Sequence, residues 1–135
     1  GGNYMTYTVK IFYHHTDAGG VVYYGNYLAM LEEARTEFLA HRGISVKEWI
    51  DRGRYFVVSR QEVDYKSPAR YGDTLTITTM VMNVSAVRID LSCQIHNQHA
   101  VLVASARTVL AFIDTNFKPS QIPADMRAML TGIKD

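Results

Sequence analysis

The side chains able to do chemistry gather in one stretch, YHHTDAGGVVYYGNYLAMLEEARTEFL, from Tyr13 to Leu39. Asp17 stands there in a glycine-containing loop, just before a helical pattern begins. The first N–H groups of a helix have no intrahelical partner, so a carboxylate in this place lies close to unpaired donors. Such donors stabilise negative charge developing on a carbonyl oxygen, and in acyl transfer one of them contributes about 2.7–4 kcal/mol to the transition state. An aspartate is ionised at neutral pH, which suits it to act as nucleophile or general base. Gly19 and Gly20 lack a Cβ, so a ligand carbonyl can come close to the backbone. The plainer alternative is that Asp17 shapes a turn or caps the helix, as short acidic residues often do.

Other candidates carry less. Glu33 and Glu37 lie one helical turn apart, a spacing that makes a solvated face, with Glu33 a reserve catalytic carboxylate. Arg35 falls on a different face and suits a buried or interface ion pair. Cys93, in SCQI, reads as a small buried hydrophobe, and as the only cysteine it excludes an intrachain disulfide. The five histidines show no helical metal spacing with a third ligand, so no metal site is expected. No GxSxG occurs, which leaves a nucleophilic serine unsupported.

These residues must be positioned by a small set of elements. Met5 to Tyr13 alternates, with Tyr7, Val9, Ile11 and Tyr13 on one face, as in a half-buried strand. His14–Gly20 reads as a loop. From Asn26 to about Arg42 the apolar residues Tyr27, Met30, Leu31, Ala34, Phe38 and Leu39 recur at helical spacing, and Gly43 supplies a stop. Ser45 with Glu48 forms a capping-box pattern for a short second helix ending near Gly53. The remainder reads as sheet: Tyr55–Tyr65, Thr74–Val84, Arg88–His96 and Ala100–Ile113, with turns at Pro68/Gly72 and at 97–99. The last of these, about 45 Å if straight, must curve. Pro119 and Pro123 close the tail. One antiparallel sheet with one major helix to cover it solves its burial problem most simply by curving around that helix. Open edges would then favour pairing with a second copy.

Bulk properties agree with one domain over residues 1–135, in which Gly1 and Gly2 read as a cloning remnant. A chain this long buries about two-thirds of its unfolded surface. A net charge of +1 supplies no global field for nucleic acid or a membrane surface. No run approaches the roughly 20 apolar residues of a membrane helix, and no signal-peptide pattern opens the chain, so a cytoplasmic location is expected.

With the elements placed, the Tyr13–Leu39 stretch resembles the signature of the 4-hydroxybenzoyl-CoA thioesterase family, which includes the Tol-Pal-associated bacterial thioesterases. The match reads Asp17, Gly19, Gly20, Val21, Val22, Tyr23, Tyr24, Asn26 and Tyr27, then Glu33, Ala34, Arg35 and Glu37 on the helix. The segment YKSPARYGDTLTI at 65–77 is similar to the family's strand-turn-strand segment, so the resemblance covers nearly the whole chain. It implies an α+β hotdog fold, a curved antiparallel five-stranded sheet wrapped around one long central helix, assembled as a homodimer or homotetramer with the site at a subunit interface. It also implies hydrolysis of an acyl-CoA to free acid and CoA, with Asp17 as the catalytic carboxylate and the Tyr24 N–H as oxyanion donor. Gly19, Gly20, Val22, Tyr23, Asn26 and Tyr27 are the expected substrate contacts.

No cofactor is expected beyond the coenzyme A of the substrate, and acyl carrier protein is a second candidate partner. CoA phosphates call for basic residues. Arg60, Lys66, Arg70, Arg88 and Arg107 are available, and Arg88, opening a strand after a turn, is the expected one. Two positions depart from the pattern: many members have Asp in place of His15, and the Tol-Pal-associated branch usually has His in place of Tyr24. Two other readings stay open, a hydratase or dehydratase on acyl thioesters using His15 and Glu33, and a non-catalytic module binding acyl-CoA or acyl carrier protein.

Overall fold

The computed structural model describes residues 4–131. Its elements in chain order are β1 (Tyr4–Lys10), a 3-10 turn (Tyr13–His15), α1 (Tyr24–His41), α2 (Val46–Asp51), β2 (Tyr55–Tyr65), β3 (Thr74–Val84), β4 (Arg88–His96), β5 (Leu102–Ile113) and α3 (Ala124–Thr131). The strands form one antiparallel sheet in the order β1-β3-β4-β5-β2. Strands β1 and β2 are therefore its two edges, and the connection between them carries α1. Crossing four inter-strand steps takes about 19 Å, and a helix of 18 residues is about 27 Å long. The helix is thus long enough to run over one whole face.

That face is apolar because the strands alternate. Ile89, Leu91, Cys93 and Ile95 of β4 are buried while their neighbours are more exposed. From α1, Tyr27, Met30, Leu31 and Ala34 pack with Ile11, Leu75, Ile77, Ile95 and Val103 at the end near the helix start. Phe38 and Leu39 pack with Ile89, Leu91, Leu110 and Phe112 at the other end. Strand β2 takes an extra residue between Val58 and Arg60 against β5, and β3 takes one between Val81 and Asn83 against β4. Bulges of this kind bend a strand and increase its twist.

Three boundaries differ from the sequence expectations. The first strand ends at Lys10 rather than Tyr13, because Ile11 turns to exchange hydrogen bonds with Gly72 and Asp73. Tyr13, expected on the half-buried face, is instead 77% exposed on the 3-10 turn. The long helix begins at Tyr24, two residues before Asn26. The last strand begins at Leu102, since Ala100 adopts a left-handed φ of 62° in the hairpin loop.

A further difference is a whole element. The tail beyond Pro123 forms α3, whose Met126 and Leu130 are buried against the Phe38 end of the core. Met126 and Leu130 are four apart, a helical signal too short to stand out beside two prolines. The second helix is as expected: the Ser45 hydroxyl accepts the Glu48 N–H at 3.2 Å, and Gly53 beyond it has a φ of +77°. Among the described residues no helix is long and apolar enough to cross a membrane.

Candidate active site

The loop from Asp17 to Val22 folds back on itself. The Asp17 N–H donates to Val21 O at 2.9 Å, and the Gly20 N–H donates to Asp17 O at 3.0 Å. Gly20 has a φ of +80°, a conformation open to glycine. The Gly19 N–H donates to Asp17 Oδ1 at 2.8 Å. Asp17 therefore does shape its own turn, with one carboxylate oxygen. The other, Oδ2, has no hydrogen-bond partner among the described residues, and the side chain is exposed.

Two isolated bridges, Thr16 with Val22 and Val21 with Arg70, lay the loop between its own start and the turn after β2. The Val22 N–H donates to Ala69 O at 2.8 Å and completes that seam.

Next along the chain the helix opens without a cap. Tyr23 is the N-cap residue and contributes no side-chain hydrogen bond to the first turn. Its ring lies over the backbone at Gly25, where a Cβ would come within 2.7 Å of Tyr23 Cε2. Among the described residues the Tyr24 and Gly25 N–H groups have no acceptor, whereas the Asn26 N–H turns back to Tyr23 O. These two free amides are the unpaired donors that the sequence places near Asp17.

A cleft of about 180 Å³ opens beside them, between the start of α1 and the end of β2. Val21, Val22, Tyr24 and Tyr27 line one side, and Tyr65, Lys66, Ser67 and Pro68 line the other. The Tyr24 ring, 64% exposed, rests 4.6 Å from that of Tyr65, and the Tyr27 ring lies 5.5 Å from it. Tyr27 is 2% exposed; burial raises its phenol above the ordinary tyrosine value, and a backbone hydrogen bond with Ala69 works against that rise. Asp17 is not a lining residue and stands beyond Val21 and Val22, facing solvent.

The expected site residues thus separate into groups. Asp17, Gly19 and Gly20 share one turn, and Val22, Tyr24 and Tyr27 share the cleft. Tyr23 faces solvent over Gly25. Asn26 turns its side chain inward, donating from Nδ2 to His15 O at 2.7 Å. Arg88 is exposed at the start of β4, where it pairs with Ala111 at the Phe38 end of the sheet, and the chain does not bring it to the cleft. Lys66 is the basic residue that lines it. Lys66 is among the basic residues that the sequence offers for CoA phosphate, but nothing in the sequence sets it above Arg88.

Glu33 Oε1 accepts the Tyr7 hydroxyl at 3.0 Å, which ties α1 to β1, and Glu37 is exposed. His15 Nδ1 accepts the Phe12 N–H at 2.9 Å, so of the His15–Glu33 pair the atoms Nδ1 and Oε1 are engaged by other partners. Arg35 is half-buried, which lowers its guanidinium from the ordinary value, and Glu32 opposes that effect. Of the expected buried or interface ion pair, the chain itself supplies no buried partner: among the described residues no carboxylate lies within salt-bridge distance of Arg35. Cys93 is buried as expected, 3.4 Å from Thr79 Oγ1, and burial pushes its thiol up. Among the described residues no three His, Cys, Asp or Glu side chains gather as metal ligands.

Residues 13–130 match the Thioesterase-like superfamily. The chain is 34% identical over 121 residues to the acyl-CoA thioester hydrolase YbgC of Escherichia coli O6:H1, covering 89% of this chain and 90% of that one. It is 31% identical over 134 residues to the acyl-CoA thioesterase YbgC of Haemophilus influenzae, covering 98% of each. In three dimensions it matches Slr0204, a 1,4-dihydroxy-2-naphthoyl-CoA thioesterase from Synechocystis, with a TM-score of 0.91, 25% identity and 98% of each chain covered. A family match across nearly all of the described residues, on a five-stranded sheet with one long helix over its face, places the chain in the Thioesterase-like superfamily, as a hotdog-fold thioesterase.

Proposed function

We propose that this enzyme hydrolyses acyl-CoA thioesters to free acid and CoA, with Asp17 and the Tyr24 N–H as its catalytic groups. The observation that carries the assignment is the uncapped helix start, whose Tyr24 and Gly25 amides lack an acceptor among the described residues and whose Tyr24 lines a cleft together with Val21 and Val22 of the Asp17 loop. A thioester carbonyl seated in the cleft directs its oxygen at the Tyr24 N–H. Negative charge developing there meets a fixed donor at no reorganisation cost. Asp17 Oδ2 either adds to the carbonyl carbon, giving a mixed anhydride that water resolves, or takes a proton from a water that adds. In both routes the C–S bond breaks and CoA leaves as thiolate. Neither route calls for a metal or a redox cofactor.

The relatives named as acyl-CoA thioesterases support the substrate class, and Lys66 at the cleft offers an ammonium to CoA phosphate. Edge strand β2, with its exposed Tyr65 and the exposed Tyr24 resting against it, supports assembly as a dimer or tetramer, in which a second copy covers the Asp17 turn. We place the enzyme in the cytoplasm, acting on acyl-CoA, with acyl carrier protein thioesters as a second substrate source.

Replacing Asp17 by Asn keeps the turn-forming Oδ1 and removes the ionised oxygen. Thiol release from an acyl-CoA panel is expected to fall about 10²–10⁴-fold, with an unchanged melting profile. An Asn variant with full activity overturns the assignment. A burst of thiol matching the number of sites, before steady turnover, marks the anhydride route.

A further inference from the structure

His15 is a junction of three segments. Its backbone oxygen accepts two donors, the Tyr23 N–H at 3.0 Å and Asn26 Nδ2 at 2.7 Å. One carbonyl therefore clamps the N-cap of α1 and the helix's third residue to the 3-10 turn that leads into Asp17. Its imidazole Nδ1 accepts the Phe12 N–H at 2.9 Å, which fixes the same residue to the exit of β1. Asp17 lies two residues beyond this junction, and Tyr24 lies one residue beyond Tyr23.

We infer that His15 and Asn26 are positioning residues that set the distance from the Asp17 carboxylate to the Tyr24 N–H, and that the junction holds only while the His15 imidazole is neutral. The inference rests on the reading of Asp17 and Tyr24 as the catalytic groups. Its chemistry is that of the acceptor. A neutral imidazole has one bare nitrogen, whereas an imidazolium carries a proton on both and can accept from neither. Protonation would set the Nδ1 proton against the Phe12 N–H, and one of the two must move.

The groups facing His15 come from three elements. His14 stands beside it in the 3-10 turn with ring centroids 4.1 Å apart, and the Phe12 ring is 6.2 Å away. Glu33 approaches from α1, and its Oε1 is itself engaged by Tyr7 of β1. Burial and then His14 lower the imidazole from its ordinary 6.5, against opposing pulls from Glu33 and from the Phe12 backbone. The neutral, accepting form is therefore held to lower pH than a free histidine would hold it, and the clamp fails as acid overcomes that preference.

The test compares the full-length wild type with His15→Asn, whose Oδ1 accepts the Phe12 N–H at every pH, and His15→Phe, which has no acceptor. Turnover of an acyl-CoA is followed across pH by thiol release, and the His15 imidazole of the wild type is titrated by NMR. His15→Phe and Asn26→Ala are expected to lower kcat about 10- to 100-fold with KM nearly constant. His15→Asn should keep kcat and move the acid limb of the profile to lower pH, and the wild-type limb should coincide with the NMR titration.

Added to Asp17→Asn, the His15→Phe change should cost nothing further, since it acts through that carboxylate. An acid limb unmoved in His15→Asn, a limb that does not track the imidazole, or a full additional loss in the double variant each overturns the inference. The wild-type titration and pH profile decide it even where His15→Phe does not fold. An active Asp17→Asn enzyme would instead defeat the catalytic assignment itself, a separate outcome.

Discussion

Two adjacent glycines allow the position of the Asp17 carboxylate to be perturbed separately from the backbone that carries it. A Cβ built on Gly19 comes 3.3 Å from Asp17 Oδ1, close enough that the carboxylate must shift by a few tenths of an ångström. Gly19 is outside the left-handed region, so alanine fits its backbone, and stability should change by no more than about 0.5 kcal/mol. A displacement of about 1 Å can cost a factor of about 10² in rate. A third of that movement scales to about a three- to tenfold loss of kcat, or about 0.7–1.4 kcal/mol of barrier.

Gly20 presents the opposite case, with a φ of +80° and nothing within 4 Å of an added Cβ. Gly20→Ala should cost about 1–2 kcal/mol of backbone strain, lowering Tm by about 3–10 °C, while kcat of the folded enzyme stays within about twofold. The assays are thiol release under saturating acyl-CoA and a thermal melt on the same preparations. Gly19→Ala with wild-type kcat, or the two variants losing turnover and stability in the same proportion, would refute the claim that Oδ1 contact orients Asp17 for its proposed catalytic role.

Two further outcomes test the scaffold. Phe38 is fully buried between α1 and the β4–β5 part of the sheet, so Phe38→Ala should destabilise by about 3–5 kcal/mol, read as a lower urea midpoint with an unchanged slope; a loss below about 1 kcal/mol would contradict the packing of the helix on that face. Cys93 is buried and its thiol is held above the ordinary cysteine range, so native protein should react slowly with a thiol reagent as pH rises and quickly in denaturant; rapid native labelling near neutral pH would contradict its burial.

The parts of the fold legible in sequence are those with a local cause. Strands β2 and β4 begin and end where alternation starts and stops, because a half-buried strand writes its own two-residue period, and β3 coincides with a run rich in threonine and valine. The apolar stripe of α1 was equally plain, and so was the Ser45 cap. Tyr13 was misplaced because alternation continues past the last residue that the sheet can pair. The α3 helix went unread because its burial depends on a patch around Phe38 that exists only after the sheet has formed.

By itself the sequence determined that a carboxylate in a glycine turn precedes a long helix, and the resemblance carried by those residues pointed to thioester chemistry. It also determined the periods from which one helix and five strands arise. Only the tertiary structure decided that the strands order as β1-β3-β4-β5-β2, so that Lys66 and Tyr65 face the helix start and Arg88 goes to the opposite end of the sheet. It also decided that Asn26 spends its amide on His15 and that Asp17 uses one oxygen for its turn, the other having no partner among the described residues. The physical reason is range: propensity and periodicity act over a few residues, whereas strand order and side-chain partners are fixed by burial between segments tens of residues apart.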